Sequence, residues 1–432
     1  MGKKTLMWLL LLGLITSANA QRKLSIDDLF SFVEENNSQL KSGRISVESA
    51  SHGVASAKSS RLPGVNAQLS GSFNGDVVMM DRDFSNATSF SQPRWGNSFV
   101  VEAQQTIYAG GAVNAGIKLA ELGKEMEETN LSGTRNNVRF SALAQYLELI
   151  KLDNAVRVYD ENIQLMNHLI EQVNAKRDEG MALRNDITRY ELQLQELTLG
   201  KRKVEDARVV VNHKLCNALG LDDETIVPDI SITDLKYSQE GESHWQSLSS
   251  TESTDLKKVE LGTQMAEQKL KIAKSDLLPK IALVAADNFS GPFTYDIPPV
   301  DKNFNIWYVG IGVQYSLGNI WRSNKKISQA KSELELSESQ KSVVAEMLDN
   351  RIQEAYTLYM QSYVELETQH KSVELATQNY DVINERYLNS LALITDMLDA
   401  SNIKLSAELR EVDAWVNIAF AYYKLKFIAN NL

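Results

Sequence analysis

The amino-acid sequence predicts an α+β membrane protein whose long helices continue into a β-barrel, with four strands supplied by each subunit. Three observations predict it. A short apolar leader marks an exported chain, the remainder is duplicated, and pairs of alternating strands sit between long proline-free helical tracts.

The leader comes first. Lys3 and Lys4 form a positive n-region, Leu6 to Ile15 an apolar run, and Ala18-Asn19-Ala20 a small-x-small cleavage site before Gln21. The run is about ten residues, too short to span a bilayer as a helix. Loss of the two lysines makes the mature chain more acidic than the −11 of the whole sequence, which argues against nucleic acid as a partner. Cys216 is the single cysteine, so neither a disulfide nor an acylated N-terminus is expected. No later stretch is apolar enough for a membrane helix, so entry into a membrane requires a barrel.

The duplication appears when the sequence is slid on itself by about 216 residues. Leu40-Lys41 then meets Leu256-Lys257, Ala57-Lys58-Ser59 meets Ala273-Lys274-Ser275, and Leu62-Pro63 meets Leu278-Pro279. At a slightly smaller shift, Tyr108, Gly111 and Lys118 align with Tyr315, Gly318 and Lys325. Later still, Asn174, Ala182-Leu183 and Asp186 align with Asn384, Ala392-Leu393 and Asp396. The expected organisation is a leader over 1–20, a first repeat over 21–221, a Ser-rich linker over 222–251 and a second repeat over 252–432.

Each repeat has the same order of elements. A helical tract, 26–62 or 252–278, ends where Pro63 or Pro279 disfavours helical geometry in its predecessor. Two strands follow. Val65, Ala67, Leu69, Gly71 and Phe73 alternate with polar residues, as do Phe99, Val101, Ala103 and Ile107. The second repeat places Trp307, Val309, Ile311, Val313, Tyr315 and Leu317 on one face, and its first strand, Ile281 to Phe289, alternates less cleanly. Strands of about ten residues with one apolar and one polar face suit a membrane barrel with a wet lumen; a soluble sandwich edge is the competing reading. Long helices are predicted over 112–178 and 319–388, about 100 Å each at 1.5 Å per residue. Shorter tracts follow at 184–219 and 392–430. A plain coiled coil explains such helices but not the strand pairs set between them. Four strands cannot close a barrel, since the smallest needs about eight, so copies of the chain must combine.

Several segments carry this layout in duplicate. They are Ser59-Ser60-Arg61-Leu62-Pro63 and Ser275-Asp276-Leu277-Leu278-Pro279, Tyr108-Ala109-Gly110-Gly111 and Tyr315-Ser316-Leu317-Gly318, and the tips Gly180 to Ile187 and Tyr387 to Ala400. The ordered set resembles the TolC-like outer-membrane efflux proteins over nearly all of the mature chain. The resemblance implies a homotrimer with a 12-stranded barrel in outer-membrane lipid and a periplasmic helical tunnel. It also implies a periplasmic adaptor docking near Gly180, Met181, Ser390 and Leu391, and an inner-membrane transporter supplying energy, in efflux or type I secretion. Asp396 and Asp399, three apart on one helical face, would form two acidic rings at the aperture. In the family, bonds from the positions of Tyr387 and an arginine to the acid matching Asp186 close that aperture. Here the arginine position is Ala392 and the usual glycine before it is Ser390. Arg184 and Arg189, near Asp186, are the candidates to substitute.

Other patterns carry no chemistry. The five histidines are scattered with no metal-ligand spacing and read as surface or packing residues. Gly110-Gly111…Gly116 lacks the ending of a phosphate loop, and its glycines serve the turn from strand to helix. Trp95, Phe99, Tyr295 and Trp307 are candidates for interfacial aromatic girdles, while 75–97 and 290–305, with Pro298-Pro299, read as outward hairpin loops. No nucleophile–base pair or cofactor motif is present, so an enzyme is not expected. The alternative function is a periplasmic coiled-coil adaptor or scaffold without a barrel.

Overall fold

The computed structural model describes residues 21–432 apart from 223, 231–236, 238–239 and 295–298. The leader reading, Tyr295 and Pro298 lie outside the described residues. The elements run β1 (Gln21–Leu24), α1 (Ile26–Asn36), α2 (Ser38–Ser59), β2 (Gly64–Phe73), β3 (Val77–Met79), β4 (Thr88–Phe90), β5 (Trp95–Ala109), α3 (Ala112–Asp178) and α4 (Arg184–Leu219). They continue with β6 (Thr225–Pro228), α5 (Glu242–Glu252), α6 (Thr254–Ser275), β7 (Lys280–Gly291), β8 (Phe304–Gln314), α7 (Asn319–Leu388) and α8 (Ile394–Ile428). Two compact units are present. One holds residues up to Ile45, Thr129–Lys257 and Val343–Leu432, the other Ser46–Glu128 and Lys258–Ser342.

The second unit is built on a four-stranded antiparallel sheet in the order β2-β5-β7-β8. Its register carries each side-chain face across all four strands. Val65, Ala103, Ala285 and Val309 stand in one row, and Ala67, Val101, Asp287 and Trp307 in the next. Leu69, Phe99 and Phe289 align above them. Rows between these hold Asn66, Glu102, Ala286 and Tyr308, or Ser70, Ser98, Ser290 and Phe304. Because strand side chains alternate with period two, this pairing keeps a largely apolar face and a more polar one. A bulge between Thr106 and Tyr108 lets the long strand β5 bend. β8 stops at Gln314, so Tyr315 and Leu317, expected on its apolar face, lie in the turn to α7 instead. The 75–97 loop contains the small β3–β4 hairpin.

Helix and strand meet at corners built twice. Leu62 donates its N–H to Ser59 O at 2.8 Å and Leu278 to Ser275 O at 3.0 Å, so Pro63 and Pro279 each leave a closed turn and open a strand. Gly110 has φ +62°, and a Cβ there would lie 2.9 Å from Ser275 O, so this corner admits only glycine. Gly111 is also left-handed at +87°, whereas Gly318 makes no such demand and starts α7 through its carbonyl.

The first unit has its own small parallel pair, β1 with β6, in register Gln21↔Thr225 to Leu24↔Pro228. Leu24, Leu29, Val33 and Leu40 pack with Leu143, Leu147, Leu215 and Ile226, and the Tyr146 hydroxyl donates to Leu24 O at 2.6 Å. The 26–62 tract, expected as one helix, breaks at Asn37. There the side-chain oxygen accepts from Gln39 N at 2.9 Å and restarts the helix, while the amide donates to Ala218 O at 2.9 Å. The same break recurs at Ser253, 216 residues on, between α5 and α6.

The expected linker 222–251 therefore needs correction, because it contains β6 and α5. Its serine content misled. Ser249 and Ser250 return their hydroxyls to the carbonyls of Gln246 and Ser247 at 2.9 and 2.7 Å, and Trp245 is buried against Tyr359 and Tyr422. α5 and α6 repeat the lengths of α1 and α2, 11 and 22 residues.

Candidate functional site

The predicted aperture residues all fall in the first unit, at the two hairpins α3–α4 and α7–α8. Both turn by one design. α3 ends with Gly180 at φ +79°, where Gly180 N donates to Arg177 O and Met181 N to Lys176 O, each at 2.8 Å. α7 ends with Ser390 at φ +62°, where Ser390 N donates to Tyr387 O at 3.0 Å and Leu391 N to Arg386 O at 2.7 Å. These are paired bonds that close a helix C-terminus around one left-handed residue. Six residues later an acid caps the next helix. Leu183 N donates to Asp186 Oδ2, and Leu393 N to Asp396 Oδ2, both at 3.0 Å. Asp160 pairs with Lys201 at 2.7 Å, and the residues 210 positions on, His370 and Glu411, also meet at 2.7 Å through His370 Nδ1.

The hairpins share a core of Met166, Leu169, Val173, Ile187, Tyr190, Tyr380, Met397 and Ala400. Asn136 Nδ2 donates to Phe427 O at 2.7 Å and Lys151 pairs with Asp413 at 3.8 Å far from the tips, and three further polar contacts join the hairpins nearer to them. Lys176 Nζ donates to Leu388 O at 2.8 Å and Tyr387 O at 3.3 Å and lies 5.3 Å from the centre of the Tyr387 ring. Gln193 Nε2 donates to Asn402 Oδ1 at 2.6 Å, and Asn162 Nδ2 to Glu408 Oε2 at 2.8 Å. The Tyr190 and Tyr387 rings meet edge to face at 6.2 Å. Burial, with the neighbouring Tyr387 hydroxyl, holds the Tyr190 hydroxyl well above its ordinary pKa; burial, then the charge of Asp186, raises Tyr387 as well. Both phenols stay neutral at physiological pH.

The structure brings some predicted residues together and leaves others apart. Tyr387 sits inside the tip core, near Asp186. Asp186 and Asp396 each have a structural task, since one carboxylate oxygen satisfies an otherwise free backbone N–H at a helix start. Asp399 is exposed one turn beyond Asp396. Arg184 and Arg189 are exposed, and no ion pair joins either to Asp186 among the described residues. At the tips a different cation crosses between the hairpins, Lys176, which sequence reasoning missed. Its signal was present: it stands four residues before Gly180, as Arg386 stands before Ser390, a basic residue in the last turn of each long helix. Met181, Leu183, Leu391 and Leu393 leave an exposed apolar side chain at each tip. No group of His, Cys, Asp and Glu among the described residues is arranged to hold a metal ion, and no described helix is long and apolar enough to cross a membrane.

Comparison with known proteins gives this geometry its setting. The family model described as outer membrane efflux protein matches residues 29–208 and 245–431. The outer membrane efflux protein BepC of Brucella suis biovar 1 is 22% identical over 425 residues, covering 96% of this chain and 87% of BepC. Among solved structures, the outer membrane protein VceC of Vibrio cholerae superposes with a TM-score of 0.76 at 14% identity, covering 94% of this chain and 96% of VceC. The open state of the MtrE outer membrane channel of Neisseria gonorrhoeae gives 0.75 at 14% identity, with 94% and 88% covered. These similarities extend through both repeats, the four-stranded sheet and the tips. The chain belongs to the outer membrane efflux protein family, a family of TolC-like outer-membrane channels.

Proposed function

We propose that the chain is the exit duct of a tripartite efflux or type I secretion system, working as a homotrimer whose sheets close into one 12-stranded barrel. One observation carries this reading. The sheet β2-β5-β7-β8 leaves β2 and β8 as open edges, and it exposes Val65, Leu69, Trp95, Trp307, Val309 and Ile311. Open edges and an exposed apolar face are costly in water, and both are resolved when copies pair edge to edge within lipid. Three copies reach the size of a barrel with a lumen, which one cannot. Trp95 and Trp307, both exposed, would face lipid in such a barrel.

The two repeats, the first over 21–221 and the second over 252–432 with α5 ahead of it, supply equivalent hairpins. The tips form the aperture. Asp396 and Asp399 from each copy would ring it with negative charge, favouring cations. Lys176 and Tyr387 hold the two hairpins of one copy together, with Asp186 near the Tyr387 hydroxyl, and opening separates them. The exposed apolar residues Met181 and Leu391, beside Gly180 and Ser390, suit a periplasmic adaptor that connects to an inner-membrane transporter. Detergent extraction tests the proposal. The protein should be found in outer-membrane fractions and run as a trimer that heating converts to monomer. A monomer soluble without detergent would support a periplasmic scaffold and overturn the channel.

A further inference from the structure

The repeat makes a prediction that a single chain cannot fulfil. Lys176, on the first hairpin, grips the C-terminal carbonyls of Tyr387 and Leu388 on the second. The equivalent of Lys176, 210 residues on, is Arg386, and the equivalents of Tyr387 and Leu388 are Arg177 and Asp178. If the hairpins were related by a two-fold axis, Arg386 would return to Arg177 and Asp178 in the same chain. It does not: the Arg386 side chain is exposed and makes no hydrogen bond or ion pair among the described residues. The relation between hairpins is therefore head-to-tail, and such an interface always leaves one donor surface and one acceptor surface unused.

The same asymmetry appears at two further places. Gln193 bonds Asn402 across the hairpins; their equivalents are Ile403 and Leu192, which are 45% and 63% exposed. Leu165 packs against the tip core, whereas its equivalent Leu375 is 53% exposed. At these positions the residue that would contact the next hairpin in sequence is covered in the first repeat and uncovered in the second; Asn162, bonded to Glu408, departs from this, since its equivalent Ser372 is half-buried and donates to Thr368 O at 2.8 Å.

We infer that Arg386 of one copy holds the α3 C-terminus of the neighbouring copy at the carbonyls of Arg177 and Asp178, with Ile403 seated on the neighbouring copy's Leu192. The chemistry matches the contact seen inside the chain. A guanidinium replaces the ammonium at a helix end that carries partial negative charge, and the exposed Asp178 carboxylate, which Arg177 holds through Oδ1 at 2.7 Å, has its second oxygen for a further cation. An apolar pair replaces the Gln193–Asn402 pair. The tip ring is then held by alternating contacts, Lys176 within each copy and Arg386 between copies, so the aperture is complete only in the assembly. This inference rests on the proposed closed ring of copies.

Two cysteine pairs test it, treated in the intact detergent-extracted protein with a short bismaleimide crosslinker; Cys216 is buried and stays unreactive. Arg386→Cys with Asp178→Cys should give covalent dimers and trimers on denaturing gels, and so should Leu192→Cys with Ile403→Cys. The control pair Lys176→Cys with Leu388→Cys should crosslink only within one chain. If the protein is trimeric and the control reacts, but both test pairs stay monomeric or link within one chain, the inference is overturned. The second test pair lies away from the helix ends and decides the matter if the first disturbs assembly. Absence of any trimer in the unmodified protein would instead overturn the ring reading itself.

Discussion

Replacing Lys176 by methionine removes the cross-hairpin grip while keeping the length of the side chain. The ammonium gives up two bonds to carbonyls at the end of α7, at 2.8 and 3.3 Å, and a position over the Tyr387 ring. A charged donor to such an acceptor is worth about 1.5–3 kcal/mol when shielded, the helix end about 0.3–1 and the ring about 0.5–1. Lys176 is half-exposed, so solvent reduces the total to about 1–2 kcal/mol. That energy is present only while the hairpins are together. Its loss shifts each subunit's closed-to-open ratio by about tenfold, since 1.4 kcal/mol is a factor of ten. In planar bilayers, Lys176→Met should raise the open-level occupancy of the channel, and Lys176→Arg should restore most of the closed state. An unchanged open-level occupancy in Lys176→Met, with the trimer intact, would refute the assignment of Lys176 as the grip.

Other perturbations follow from local geometry. Ser390→Gly relieves a left-handed backbone at φ +62°, which costs a non-glycine residue about 1–2 kcal/mol, and flexibility of the unfolded chain returns part of it; slower hydrogen exchange at the α7–α8 turn would show the gain. Gly110→Ala places a Cβ 2.9 Å from Ser275 O at φ +62°, so it should destabilise by at least about 1–2 kcal/mol and lower the trimer's melting temperature in heat-modification gels. Asp399→Asn should lower cation selectivity in reversal-potential measurements without a stability cost. Asp396→Asn should do both, because Asp396 also caps α8 through Leu393 N.

Much of the fold was legible because it depends on period and punctuation. The bounds 112–178 and 319–388 of the long helices follow from proline-free tracts between glycine or strand signals, and the structure has α3 and α7 over those residues. The duplicated corners were equally open to reading, since Pro63 and Pro279 stand in matching sequences. Features that depend on contacts between distant segments were not. The break at Asn37 needs Ala218 O as a partner, 181 residues away, and β6 exists because β1 lies beside it. Ser-rich sequence around Trp245 reads as linker until the indole is seen among tyrosines.

At the tips, the acids were found through the family resemblance, with spacing adding only that Asp396 and Asp399 share a helical face, and the capping role of Asp186 and Asp396 was not found. An acid three residues into a helix looks the same in sequence whether it faces a pore or its own backbone. Lys176 was overlooked for a related reason. Its partners are carbonyl oxygens, which leave no trace in the sequence of the other hairpin. The repeat supplies that trace only when Lys176 and Arg386 are compared, and then it is their difference in surroundings that is informative.

Reconstitution of the purified protein into a planar bilayer tests most directly whether three open sheets close into one conduit. Discrete, cation-selective conductance steps are expected from a detergent-extracted trimer, with the unmodified protein mostly at its low-conductance level. A protein that gives no steps and remains a monomer without detergent would contradict a barrel formed by copies of this chain.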